Sequence, residues 1–514
     1  MNRKQALAAL IGIIAVGLML RAYRIGDRSL WYDEAFSYSL IHEFTWEGMV
    51  HCLQQDVHPP FYFILLRLWS NCFGISIYSL RGFSIAMGGV TLVGIYLFTK
   101  DLFVLGSKSE DVEGARNKGR AAGVSAAALV AVFSAHIWWS QDAKMYSLAT
   151  ALISFNAWLL LRAISLQNAQ KWWAAYAITA AAMLYTHNYA LFTFVGECVF
   201  LAVYFIHHFC LSPRRPSTSV TFRHACVAVT AAACLYLPWV PTLFAQARRV
   251  RTDYWIAPAN TLSIPYALDQ LFFPENSFNS PAIRAVGLVL ALSAMLAWLV
   301  IQRRVLNWLL FSLVLTPILC ATLVSLVFAS IITPRYFLFA SLFVPTVAVS
   351  IIWNSFPRLC WGIVCLLVIN LLGIHIRFLQ TLFLDEQGTR GVVSHLLENR
   401  KSSEPVIVTH AGVFYSVKYY AEETLHAKLF LSSGTLPHYL GGSILVQTDA
   451  ICSDEMSGDN YDTIWVVDCT GFVTVPAARS SIPDSWLPVS GSQVSFREVF
   501  GWQGVVTAQL YRRL

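Results

Sequence analysis

Two adjacent carboxylates, Asp33 and Glu34, stand in the run Arg28-Ser29-Leu30-Trp31-Tyr32-Asp33-Glu34, directly after the first apolar stretch of the chain. Residues 6–20 are apolar throughout behind Asn2-Arg3-Lys4, and Arg21 and Arg24 close the stretch, so the acids lie just past a membrane interface. A charged pair is costly to hold beside hydrocarbon, and it marks a functional site unless it merely opens an interfacial helix with Trp31 and Tyr32 as belt anchors. Four more polar clusters stand at the ends of apolar runs: Asp56-Val57-His58-Pro59-Pro60, Ser140-Gln141-Asp142-Ala143-Lys144-Met145-Tyr146, Tyr185-Thr186-His187-Asn188-Tyr189 and Thr333-Pro334-Arg335-Tyr336. Each has an ordinary reading alone, such as a proline that starts a helix or a tyrosine at the membrane belt. All five on one face do not.

What positions these residues is a set of membrane spans. The 514 residues are 56% hydrophobic and only 13% charged, far more apolar than a soluble protein. The net charge of +7 falls mostly in short loops between apolar runs, where it sets orientation. It is no nucleic-acid footprint, and no DNA- or RNA-binding pattern occurs. The N-terminal stretch lacks a small-residue cleavage pattern and reads as an uncleaved first span. Most of the eleven cysteines lie inside apolar runs, and no C-x-x-C spacing suggests a metal.

A span needs roughly 20 apolar residues. Apolar runs fall near 6–23, 59–75, 82–104, 121–139, 143–163, 172–186, 188–208, 225–244, 282–301, 305–330, 336–353 and 359–379. Basic clusters at Lys108, Arg116, Lys118 and Arg120, at Arg214, Arg215 and Arg223, and at Arg303 and Arg304 assign those loops to the cytoplasm. The five polar clusters, a long loop at 245–281 and everything after about 380 are then outside. With 24–58 outside and 105–120 inside, parity allows 59–104 one crossing, yet it holds two apolar runs; the first is short and interrupted by Arg67, a candidate re-entrant or interfacial element, and the sequence leaves one crossing or two open. The expected fold is a polytopic α-helical membrane protein of about 11–13 spans, residues 1–384, with an extracytoplasmic soluble α/β domain at 385–514. That domain has strand-like runs at 405–409, 443–446, 463–467 and 505–511 and a helical pattern at 413–423. It shows no GxGxxG, P-loop or nucleophile elbow. Outside a reducing cytoplasm, Cys452 and Cys469 are a candidate disulfide.

The chain resembles the GT-C superfamily of membrane glycosyltransferases, in particular the branch holding protein O-mannosyltransferases, aminoarabinose transferases of lipid A and Rgt-type lipopolysaccharide glycosyltransferases. The resemblance runs over about 6–380 and is carried by Leu30-Trp31-Tyr32-Asp33-Glu34-Ala35, by His58-Pro59-Pro60 leading into Phe61-Tyr62, by Ser140 to Tyr146 and by Pro334-Arg335-Tyr336. It implies transfer of a sugar from a polyprenyl-phosphate carrier to a glycolipid, glycan or protein acceptor on the outer face of the cell membrane. The family's first-loop acid maps onto Asp33, with Glu34 beside it. In the aminoarabinose-type members the residue before the proline pair is a lysine near the lipid phosphate; here it is His58, whose charge depends on pH.

Such a transfer needs a base for the acceptor hydroxyl, positive charge for the leaving phosphate and a site that excludes water. Asp33 is the candidate base, with Glu34 orienting the acceptor or pairing with a basic group. Arg335 is the first candidate for the phosphate, because a guanidinium binds it in two places, and Tyr336 adds a hydroxyl. Arg248, Arg249 and Arg251, three arginines on an expected outer loop, are the second, with His58. Asp142, Lys144, Tyr146 and His187 are candidate substrate contacts. Asp33, Glu34, Asp56 and Asp142 near one face would suit a divalent cation, though no ligand spacing demands one. The alternative is a transporter or flippase. It would rest on the in-span ionisable residues Arg67 and Glu197, but the chain lacks the internal repeat such folds carry.

Overall fold

The computed structural model describes all residues except 108–109, 167–168, 212–215, 275–280, 303, 383–386, 422–423, 433–435, 459–460, 473–474, 476–477 and 499–503. Among the described residues nine helices are long and apolar enough to cross a membrane: Arg3–Ala22, Ile77–Leu105, Tyr146–Ser165, Ala190–Cys210, Thr218–Thr252, Arg284–Ile301, Asn307–Val327, Pro334–Ser355 and Cys360–Gln380. The three remaining apolar runs fold as Phe61–Phe73, Val112–Ala131 and Gln170–Leu184.

Phe61–Phe73 has 13 residues. That is about 20 Å of helix against a hydrocarbon core of about 30 Å, so the stretch 59–104 crosses once, through Ile77–Leu105. Val112–Ala131 begins with charged residues yet runs back along Ile77–Leu105. Gly119 and Gly123 allow this approach, since a Cβ on either would stand 2.7 Å from the carbonyl oxygen of Lys100 or Tyr96. Its far end meets the end of the first helix, where Arg21 Nη1 donates to Ala131 O at 3.1 Å and Gly17 O at 3.0 Å. Gln170–Leu184 returns along Tyr146–Ser165 in the same way, from Trp172 against Trp158 to Tyr185, whose carbonyl accepts from Phe61 N–H at 3.0 Å. With these two, eleven helical segments among the described residues traverse the bundle, and the five polar clusters share one end. Arg116, Lys118, Arg120, Arg223 and Arg304 stand at the other. Lys108, Arg214, Arg215 and Arg303 lie outside the described residues.

The C-terminal α/β domain is built on β1 (Val406–Val408), β2 (Lys428–Phe430), β3 (Ala450–Ile451), β4 (Thr463–Cys469), β5 (Trp486–Pro488), β6 (Val494–Glu498) and β7 (Gly504–Arg513). The order is β3-β2-β1-β4-β7-β5, with β6 also paired to β7. Strands β1 to β4 are mutually parallel; β7 runs antiparallel to β4, from Thr463 opposite Arg512 to Cys469 opposite Val506. Three expected strand runs are β1, β4 and β7. The fourth, 443–446, is not a strand: the chain turns at Gly441, whose φ of 83° suits glycine, and Ile444 N–H closes on Gly441 O at 3.1 Å. The expected helix at 413–423 is Ala411–Ala421, and residues 422–423 and the boundary at 384/385 lie outside the described residues. Cys452 and Cys469 are both free thiols. Cys452 follows β3 and Cys469 ends β4, three strand spacings away, about 14 Å and beyond disulfide reach.

The domain sits on the end of the bundle that carries Asp33. Leu30 N–H donates to the Tyr420 hydroxyl at 2.8 Å, Ser29 Oγ to Gln387 O at 2.7 Å, and Arg390 to Gly26 O at 3.1 Å and Asp27 O at 2.7 Å. Lys418 Nζ bridges Glu43 at 2.5 Å and Asp449 at 2.6 Å. Apolar packing continues from bundle to domain as one core.

Candidate active site

Asp33 and Glu34 open the helix Tyr32–Glu43, where negative charge suits the helix N-terminus. Successive helical residues are turned by about 100°, so the two carboxylates part company. Glu34 is fully buried and doubly bonded to Arg81, Nε to Oε1 at 2.7 Å and Nη2 to Oε2 at 2.6 Å, and it accepts Ala143 N–H at 3.0 Å. Burial alone would raise its carboxyl, but the charge and hydrogen bonds of Arg81, with Arg28 beyond, hold it below the usual carboxylate range. Arg81 also donates to Ser29 O at 3.0 Å and Arg28 O at 3.2 Å, and to Ile25 O. Of the two roles expected for Glu34, orienting the acceptor or pairing with a basic group, the structure shows the pairing, which ties the first loop, the turn at 143 and the helix Ile77–Leu105 together.

Asp33 faces the other way, toward a cavity of about 60 Å³ between bundle and domain. Its Oδ2 accepts from Arg335 Nη1 at 2.9 Å, and Lys144 Nζ stands 4.0 Å from Oδ1. Arg335 sits on the 3-10 turn Pro334–Phe337, with its guanidinium 4.9 Å from the Trp255 ring and 5.6 Å from the Tyr336 ring. Its Nε is buried without a hydrogen-bond partner. Lys144 is buried too, and its Nζ has no hydrogen-bond partner; it lies 4.8 Å from the Phe36 ring and 5.5 Å from the Phe63 ring. Burial pushes this ammonium down, against the pull of Asp33 and Asp56. Trp31, Tyr32, Asp33, Trp255 and Arg335 line the cavity from the bundle, and Tyr439, Leu440, Phe472 and Val475 close it from the domain.

Tyr336, Tyr146 and His187 join this group from behind. His187 accepts Tyr189 N–H on Nδ1 at 3.1 Å, and its ring packs on Tyr336 at 5.3 Å, Phe339 at 5.0 Å and Tyr146 at 5.6 Å. Burial, then the charges of His58, Arg335 and Lys144, hold it well below the usual histidine range, so it is a neutral wall. The Tyr336 hydroxyl meets that of Tyr254 at 3.4 Å. Asp142 is buried beside Arg28, 3.7 Å from Nη2, and neither of its oxygens has a hydrogen bond.

His58 Nδ1 lies 2.5 Å from Asp56 Oδ2, and this pairing holds the buried Asp56 carboxyl below its usual range against the opposing effect of burial. The three arginines 248, 249 and 251 are not on a loop. They occupy the last turns of the 35-residue helical segment Thr218–Thr252, long enough at about 52 Å to project past the membrane. Arg249 donates to Gln54 O at 2.8 Å and Asp56 O at 3.4 Å, docking the helix on the Asp56–His58 segment. Arg248 and Arg251 are exposed, the latter 5.4 Å from the Phe328 ring. None of the three lines the cavity.

The four carboxylates weighed as cation ligands each stand against a basic side chain: Asp33 on Arg335, Glu34 on Arg81, Asp56 on His58 and Asp142 near Arg28. Among the described residues no group of three or more His, Cys, Asp or Glu converges, so the donor set does not fit a divalent ion as arranged. The sequence reading missed Arg81, Trp255 and the four domain residues. Arg81 had a signal, an arginine at the head of an apolar run; the domain residues had none. Ser140 and Gln141 turn out to be structural: Gln141 Nε2 donates to Arg21 O at 3.0 Å and Tyr23 O at 3.3 Å, capping the first helix.

No protein-family model matches the chain, and no curated protein matches it. Among solved structures, ArnT from Cupriavidus metallidurans in the apo state is similar with a TM-score of 0.59 at 11% identity, the match covering 98% of each chain. The archaeal oligosaccharyltransferase AglB from Archaeoglobus fulgidus, in complex with an inhibitory peptide and a dolichol-phosphate, is similar with a TM-score of 0.52 at 11% identity, over 90% of this chain and 69% of that one. The chain shares the fold of these structures, a polytopic helical membrane body with a C-terminal α/β domain.

Proposed function

We propose that the protein is an integral membrane glycosyltransferase that moves a sugar from a polyprenyl-phosphate donor to an acceptor hydroxyl on the extracytoplasmic face, with inversion at the anomeric carbon. The reading rests on the meeting of one carboxylate, Asp33, and one guanidinium, Arg335, at a cavity between bundle and domain, with a second cation, Lys144, buried behind Asp33 at 4.0 Å. Arg335 and Lys144 hold the donor phosphate, each having a buried nitrogen without a hydrogen-bond partner. Asp33 takes the proton of the acceptor hydroxyl as its oxygen bonds to the anomeric carbon; the bond from that carbon to the phosphate oxygen breaks, and its electron pair leaves with the polyprenyl phosphate. Charge growing on the phosphate is met by fixed cations in a site with little water, where such stabilisation is strongest. The AglB complex with a dolichol-phosphate supports a lipid-phosphate donor by analogy of fold.

The transporter alternative has weaker support. Glu197, in the span Ala190–Cys210, accepts from Asn156 Nδ2 at 2.8 Å and the Tyr176 hydroxyl at 3.0 Å, and Arg67, on the short helix Phe61–Phe73, lies over the Trp46 ring at 4.5 Å, so both have structural partners. The test is a panel of polyprenyl-phosphate sugars offered to purified protein with mixed envelope glycolipid, glycan and protein acceptors, following released polyprenyl phosphate. Release by the wild type that Asp33→Asn abolishes supports the reading; passage of the intact donor across vesicles without release would replace it with transport.

A further inference from the structure

At the end of the bundle away from Asp33, a groove of about 840 Å³ opens among the helices Ile77–Leu105, Val112–Ala131, Tyr146–Ser165 and Asn307–Val327. The 20 residues of Tyr146–Ser165 run from beside the active cavity to this groove, about 30 Å, one hydrocarbon thickness. Three separate segments bring it basic side chains: Lys118, the pair His207 and His208, and Arg304. Among the described residues no Asp or Glu lines it.

A bias of basic residues to one membrane face accounts for their sign, but not for their convergence on a hollow. His207 and His208 lie on a π-helical turn, His207–Leu211, a wider winding found mostly as single turns and often at functional sites. Lys118 Nζ donates to Asn354 Oδ1 at 3.1 Å, which fixes the ammonium on the groove wall. Leu105 and Leu306 give the same groove an apolar side. Positive charge beside an apolar wall at the level of the interface fits an amphiphile with an anionic head.

We propose that this groove binds the phosphate headgroup of a membrane lipid in the leaflet opposite the active cavity, with Lys118 and Arg304 on the phosphate and the lipid chain leaving along the apolar wall. An arginine and a lysine together suit a phosphate, one by its fork and the other as a point charge. The site is independent of the proposed transfer reaction and stands or falls without it.

Native mass spectrometry of the full chain, equilibrated with phosphatidylglycerol or with diacylglycerol of the same acyl chains, tests it. The wild type is expected to retain phosphatidylglycerol roughly tenfold or more over diacylglycerol. Lys118→Gln with Arg304→Gln is expected to lose that preference, while Arg116→Gln, an exposed change on the same helix, keeps it. Unchanged retention in the double variant overturns the proposal. Because that variant could misfold, a diazirine-bearing phosphatidylglycerol on wild-type protein gives a second reading: labelling of 102–118 or 302–307 supports the site, and labelling only elsewhere refutes it. Displacement of the lipid by inorganic phosphate, with the phosphate alone raising the melting temperature, would make this a soluble-phosphate site instead.

Discussion

Arg335 Nη1 donates to Asp33 Oδ2 across 2.9 Å, so the proposed phosphate ligand and the proposed base are each other's partner. Arg335 occupies one lone pair of Oδ2, and the other oxygen faces Lys144 at 4.0 Å. A lipid phosphate entering the cavity competes with Asp33 for the guanidinium, and each increment of that competition returns an acceptor lone pair to Asp33. In the proposed reaction donor binding and base release would be one event, with the donor bound first.

Asp33→Asn separates the two halves of that event. The amide keeps the shape but cannot take a proton, so turnover is expected to fall ~10²–10⁴-fold, the usual worth of a positioned base. Donor affinity should hold or rise, because Arg335 no longer has a carboxylate to leave. Turnover and donor binding measured on the same preparation check both; near wild-type turnover would move the base elsewhere.

Glu34 and Arg81 carry stability rather than chemistry. Glu34→Gln leaves a buried guanidinium without its counter-charge, which costs about 3–5 kcal/mol, whereas Glu34→Leu with Arg81→Met removes both charges and should regain much of the loss. Thermal unfolding in detergent compares the three proteins. A Glu34→Gln protein as stable as wild type would show that the pair is not the anchor its geometry makes it.

Much of this was legible in the sequence. Asp33, Lys144, His187 and Arg335 announced themselves as polar groups at the ends of apolar runs, whereas the number of crossings in 59–104 stayed open until the 13-residue length of Phe61–Phe73 answered it. Long-range partners were another matter. Arg81 pairs with a carboxylate 47 residues earlier, and from sequence it only headed a span. Arg248, Arg249 and Arg251 read as loop because apolarity stops where the membrane stops, while the helix continues to Thr252. Phe472 reaches the cavity through a left-handed backbone, φ 53°, and its ring packs on Gly412, where any side chain would collide with it. No local pattern encodes that contact.

Asp142 gives the protein a distinct pH signature. Burial first, then the charge of Glu34, push its carboxyl up to about 7. The folded protein therefore holds this proton more tightly than the unfolded chain, whose carboxyl titrates near ~3.9. The group's contribution to stability is full below that value and is lost as pH rises through about 7. Asp142→Asn should match wild type near about pH 4 and exceed it above about pH 7, a window set by the same two values. The difference in melting temperature between the two proteins across that range is the measurement. A constant difference would mean that Asp142 stays ionised.

Arg335 stands at the head of the candidate span Pro334–Ser355. In the proposed reaction its guanidinium would meet the donor phosphate at headgroup level while the polyprenyl chain stays in hydrocarbon. Negative charge accumulates on that phosphate as the sugar departs, so the interaction strengthens toward the transition state and belongs mainly in kcat. Arg335→Ala is expected to lose at least ~10²-fold in kcat. Arg335→Lys keeps the charge without the fork and should fall between, with Lys144 supplying the second cation in both variants. The rival account is that Arg335 only pins Asp33 and Trp255 in place. Under it, Arg335→Lys would restore turnover fully, and the alanine variant would fail in folding or expression rather than in rate. Kinetics of both variants with one defined donor, alongside their melting temperatures, separate the two: a rate loss in a protein that melts like wild type assigns Arg335 to the phosphate.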